Sequence, residues 1–178
     1  MWCYWDLFGG KKISKLVFVD QEPFMTINPI WNDAERRTIG AGIDHKSLFD
    51  FVNSLSGING EEVSCKFIAG RFTSDFDKSN LDWVLSQNLL LPRNHAATLF
   101  FNHTTQDWRD VISKINVPTL IITGKASNKP IESQVWINQK ILGSQLEIFG
   151  KGEGGSHFMF IENPIKFNDI VLKFMRSS

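Results

Sequence analysis

The sequence predicts an α/β fold: a parallel sheet with flanking helices and a long helical insertion. Three observations carry that expectation. Lys15–Asp20 and Val117–Gly124 are continuous apolar runs of strand length, as strands buried on both faces require. Gln145–Phe149 alternates and carries branched and aromatic side chains, a third short strand. Between and after these runs lie periodic apolar segments of helical length, which is the alternation of a βα architecture.

The elements follow in chain order. Trp2, Tyr4, Trp5, Leu7 and Phe8 read as the end of a buried helix stopped by Gly9-Gly10. The first strand, Lys15–Asp20, reads as an interior strand. From Trp31 to Gly57 the pattern is loosely amphipathic helix, with Leu48, Phe49, Phe51, Val52 and Leu55 on one stripe. Glu61–Gly70, Asp82–Leu91 and Asn94–Asn102 read as three more helices, the second ended by Pro92. Residues 24–106 thus form a helical cap or lid, too long for a simple crossover. After the second strand comes a helix at Ile131–Ile141, then the third strand, then a last helix opened by Asn163-Pro164 and striped with Phe167, Ile170, Val171 and Phe174. One domain spanning 1–178 is expected.

Composition excludes some partners. The 19 basic and 19 acidic residues cancel, so neither nucleic acid nor an anionic membrane is indicated. No apolar run reaches the roughly 18 residues of a membrane span, and the N-terminus lacks the basic leader and apolar core of a signal peptide. Cys3 and Cys65 show neither redox nor metal-ligand spacing, which points to reduced thiols and a cytoplasmic protein. Fifteen Phe and six Trp against one Tyr favour an apolar interior or pocket. Phe24, Trp31, Phe49, Phe72 and Phe76 are candidates to line it, with packing the commoner role for such residues.

The chemistry-bearing stretch is Gly152–Glu162, reading Gly-Glu-Gly-Gly-Ser-His-Phe-Met-Phe-Ile-Glu. His157 sits on this glycine-rich loop, between the third strand and the closing helix, where a scaffold can present a general base. In open α/β sheets ligands bind at the carboxyl ends of the strands. A histidine there, facing an acid on an earlier loop, is the base-and-orienter half of a nucleophilic triad. His45, His95 and His103 lie in or near the insertion without metal-ligand spacing and read as surface or packing residues.

Taken together, Lys15–Asp20, Asp107-Trp108-Arg109-Asp110, Val117–Gly124, and Gly154-Gly155-Ser156-His157-Phe158 with Glu162-Asn163-Pro164 resemble the C-terminal two-thirds of an α/β-hydrolase, of the esterase and non-haem haloperoxidase-like kind. The resemblance implies serine-type cleavage of an ester or similar small apolar acyl substrate, with His157 as base and no metal or organic cofactor. The sequence departs from the family's pattern twice. It holds no Gly-x-Ser-x-Gly elbow; Met1–Phe8 resembles the back half of the helix that follows it, so the chain is expected to be a truncated, inactive form. After Gly124 the family usually carries an aspartate, whereas Lys125-Ala126-Ser127-Asn128 stands here. Asp20, at the end of the first strand, is the first choice for the acid and Glu132 the second; Glu22, Asp75 or no acid remain. Two other functions stay open: a non-catalytic binding protein on a hydrolase scaffold, and a dehalogenase-like hydrolase with an aspartate nucleophile.

Overall fold

A computed structural model describes residues 1–177. Its sheet has three parallel strands in the order β1 (Leu16–Val19), β2 (Thr119–Gly124) and β3 (Gln145–Phe149). β2 is central and wholly buried, which is why its sequence is Thr-Leu-Ile-Ile-Thr-Gly with no charge. Among the described residues β1 lies at the sheet edge, not inside it: Leu16 and Phe18 are buried while Val17 and Val19 are only half-buried. The expectation of two buried faces is corrected there, because no strand pairs with β1 on its other side.

The two faces of the sheet carry two cores. Leu16, Phe18 and Ile121 pack with Ile112, Ile115, Ile137, Ile141 and the N-terminal Trp2 and Trp5. Leu120, Ile122 and Phe149 pack on the opposite face with Met159 and Phe174. The period-two alternation along β2 thus divides Ile121 from its neighbours Leu120 and Ile122.

α1 (Trp2–Phe8) buries only Trp2 and Trp5. Leu7 and Phe8 are 66% and 68% exposed, against the reading of a wholly buried helix end. β1 is joined to β2 through five helices, α2 (Asp33–Ile39), α3 (His45–Ser56), α4 (Gly60–Ala69), α5 (Lys78–Asn88) and α6 (Arg93–Thr105), and a single turn, α7 (Arg109–Ile112). Asn32 makes a capping box with Glu35, and Asp44 and Asp77 cap α3 and α5 with their carboxylates. The block coheres through Phe51, Phe67 and Phe100, whose ring centroids lie 4.7–5.4 Å apart.

α8 (Ile131–Lys140) packs on β2, and β3 follows after Gly143, which adopts positive φ. A 3-10 turn (Lys151–Glu153) and a short helix, α9 (Met159–Glu162), precede α10 (Pro164–Arg176). α9 is additional to the expected elements; it is a single turn, and its Met159 plugs the second core. Asn163 caps α10, while Lys15 Nζ donates to the Phe174 carbonyl at its far end. No helix is long and apolar enough to cross a membrane among the described residues.

Candidate active site

The site lies where the loops after β1, β2 and β3 meet at the carboxyl ends of the strands. Asp20 is the first residue beyond β1. Its backbone N–H donates to the Ile122 carbonyl at 2.8 Å, continuing the ladder one residue past Val19. It then turns out of the sheet with φ 52°, a left-handed conformation that aspartate tolerates better than branched residues. Its side chain is fully buried.

Every hydrogen bond seen at the Asp20 carboxylate comes from a donor. Thr123 Oγ1 donates to Oδ1 at 2.7 Å, and Ser127 Oγ donates to Oδ2 at 2.6 Å. His157 Nδ1 stands 2.7 Å from Oδ2. A carboxylate only accepts, so the neutral imidazole carries its proton on Nδ1 and leaves Nε2 with a free lone pair. That is the tautomer a general base needs.

Backbone packing puts the histidine loop in place. Gly155 lies against the end of β2, where its carbonyl accepts from the Ala126 N–H at 2.8 Å. Gly154 takes φ 67°, the turn for which the glycine run is needed. Ser156 Oγ and the His157 N–H both donate to the Arg71 carbonyl, at 2.6 and 3.2 Å, so the helical block grips the loop from the other side. Glu162 accepts from the Thr73 N–H at 3.0 Å and from its hydroxyl, a second tie between α9 and the same block.

The other candidate acids stand elsewhere. Glu132 is held by Arg37 at 2.7 Å in the open groove beside α8, a cleft of 660 Å³ that neither Asp20 nor His157 lines. Glu22 is buried and ion-paired to Lys129. Burial pushes its carboxyl above the usual range, partly offset by Lys129. Asp75 makes no hydrogen bond or ion pair with the site among the described residues. Ser127, near the place of the family's usual aspartate, binds Asp20 and not His157.

Two cavities reach His157. One, of 690 Å³, is lined by Trp2, Val17, Phe18, Leu99, His103 and Phe158 among others. The second, of 180 Å³, opens beneath the helical block between Glu22, Phe67, Arg71, His103, Lys129 and His157. None of the five aromatics expected to line an acyl pocket lines either. Phe24 and Trp31 pack edge to face 6.1 Å apart beside Arg109, Phe49 meets Phe101, and Phe72 stacks on Phe76. His103, read from sequence as packing, faces both cavities. Desolvation, with the nearby Lys129 and His157, draws its imidazole below the usual range. α6 has no strong apolar stripe that would have marked this face. Among the described residues no cluster of three His, Cys, Asp or Glu could hold a metal.

No family model and no curated protein sequence matches the chain. Solved structures do. An esterase from Exiguobacterium antarcticum superposes with a TM-score of 0.84 at 21% identity, over 99% of this chain and 62% of that one. A bromoperoxidase from Bacillus anthracis gives 0.84 at 21%, over 99% and 63%. An enol-lactonase from Burkholderia xenovorans LB400 gives 0.77 at 15%, over 98% and 60%. The chain thus spans about three-fifths of the length of the structures it matches. These neighbours share the α/β-hydrolase fold, and the three parallel strands with their flanking helices are a partial α/β-hydrolase fold.

Proposed function

We propose that Asp20 and His157 are the acid and base of a serine-type hydrolase that cleaves an ester or similar small acyl substrate. The observation that carries this is the 2.7 Å approach of His157 Nδ1 to a fully buried carboxylate whose remaining bonds, from Thr123 and Ser127, are all donors. Such a carboxylate fixes the tautomer and stabilises the imidazolium when Nε2 takes a proton from the nucleophile. The helical block over residues 24–106 acts as the lid of the site, gripping the histidine loop through Arg71 and Thr73.

The nucleophile is not among these residues on this reading, since the sequence holds no Gly-x-Ser-x-Gly. The 178-residue chain by itself is therefore expected to leave esters intact. A polypeptide that adds a strand-turn-helix carrying that serine beside β1 is expected to hydrolyse them. The non-catalytic reading drew on the missing carboxylate after Gly124, and it loses that support because Asp20 faces His157 instead.

The test is to join these residues to such an elbow segment and assay p-nitrophenyl acetate turnover and fluorophosphonate labelling. Both are expected, and His157→Ala should abolish turnover. Turnover retained in His157→Ala, or a correctly folded fusion that is never labelled, sinks the assignment.

A further inference from the structure

The cavity beneath the helical block has a charge that the proposed reaction does not use. Its volume, 180 Å³, is below the usual range for drug-sized ligands, so its occupant is small. Three ionisable side chains other than histidine line it: Glu22, Arg71 and Lys129. Glu22 and Lys129 neutralise each other through a direct ion pair in which both side chains are less than a tenth exposed. Arg71 is left over.

The Arg71 guanidinium is held in place without being neutralised. It lies over the Phe67 ring, 4.3 Å from guanidinium carbon to centroid, and Nη1 donates to Asn128 Oδ1. Arg71, with Glu22, Met25 and Lys129, lines both this cavity, which Phe67 borders, and the adjoining one that Asn128 borders. No carboxylate lies within ion-pair distance of it among the described residues; the arginines that are so paired are Arg36, Arg37 and Arg109. Nε and Nη2 likewise have no protein partner there. Desolvation lowers the basicity of this guanidinium, with Glu22 and Asp20 opposing the shift. A half-buried, pre-oriented and unneutralised fork of donors is what a carboxylate fits in two-point contact.

We propose that this cavity binds a small substrate bearing a carboxylate, with Arg71 taking the carboxylate while the scissile acyl group lies at His157. The adjacency follows from the backbone, since the Arg71 carbonyl accepts from the His157 N–H. The proposal deepens the hydrolase reading by naming its substrate class: monoesters or lactones of short dicarboxylic acids in place of neutral esters. It rests on that reading only for what becomes of the bound molecule.

Binding can be tested on the 178-residue chain, with no turnover required. The probes are monoethyl glutarate and its neutral counterpart ethyl pentanoate, each titrated at pH 7 and low salt while the imidazole signal of His157 is followed by NMR. Monoethyl glutarate is expected to bind about tenfold tighter or more, the scale of one charge-assisted hydrogen-bonded contact. Arg71→Gln keeps the backbone carbonyl that anchors His157 and should bring the two ligands to equal affinity, and Arg71→Lys should retain part of the preference. In the unmutated protein, raising NaCl to about 0.5 M should shrink the preference. Equal affinity for the two probes, no saturable binding of monoethyl glutarate, or a preference that survives Arg71→Gln overturns the proposal. A preserved preference with no hydrolysis in the elbow-bearing protein would leave the carboxylate site standing and sink the hydrolase reading alone.

Discussion

Gly124 and Gly155 touch backbone to backbone: a Cβ built on Gly124 would lie 1.9 Å from the Gly155 carbonyl oxygen. This contact seats the histidine loop on the end of the central strand, and the Lys125 N–H donates to the Phe149 carbonyl beside it, at 2.9 Å. The obstruction is main chain, which no rotamer change can move.

Gly124→Ala is therefore expected to displace the loop and destabilise the fold by about 2–3 kcal/mol, the upper part of the range for overpacking. Urea unfolding would measure it. In contrast, Gly152→Ala meets nothing within 4 Å and has no positive φ, so it should be near neutral. Equal effects of the two changes would contradict the geometry.

Asp20→Asn tests the acid. An amide keeps the size of the carboxylate and removes its charge, and its NH2 would face the donor hydrogen of Thr123, Ser127 or His157. In an elbow-bearing protein kcat should fall by a factor on the order of 10^4, the scale for replacing a triad acid by its amide. Glu132→Gln, which disturbs only the exposed pair with Arg37, should leave kcat within about twofold, since such pairs contribute under about 1 kcal/mol even to stability.

Glu22 predicts a pH dependence of stability. Burial holds its carboxyl above the usual range in the folded protein, so the folded state keeps this proton longer than the unfolded chain does. Its favourable contribution is complete below the unfolded value of about 4.3 and declines as pH rises through the folded one. Glu22→Gln, which mimics the protonated form, should thus gain on the parent as pH is raised from about 4 towards neutrality. Paired urea titrations across that window would show it; a difference that stays flat or widens in the parent's favour would mean that Lys129 outweighs burial.

A folded 20.3 kDa monomer usually exposes about 8,800 Å², whereas this chain exposes 10280 Å². Part of that surface is apolar, including Leu7 and Phe8 on α1, and β1 offers an unpaired edge among the described residues. Concentration-dependent self-association of the 178-residue chain is expected by sedimentation. A monomer with a sharp cooperative thermal transition at high concentration would contradict it.

Local chemistry made much of the architecture legible. Strand runs such as Leu120-Ile121-Ile122 admit little besides a buried strand, Gly124 ends one, and Asn163-Pro164 opens a helix whose apolar period survives to Phe174. The glycine run around His157 marked the loop for the same reason, since backbone freedom is a property of the residue itself. Tertiary structure decided which partners met. Asp20 reaches His157 because the β1–β2 register sets Val19 beside Ile122 and so brings Thr123 and Ser127 to the same carboxylate, while Arg37 from α2 draws Glu132 away. The positions of His103, Phe67 and Arg71 around the small cavity depend on how α4 and α6 dock, and the expected aromatic lining packs on other aromatic rings instead, Phe49 on Phe101 between α3 and α6 and Phe72 on Phe76 in the loop before α5. Periodicity along one segment reports which face is apolar; it carries no information about which distant segment that face will meet, and the site is made from such meetings.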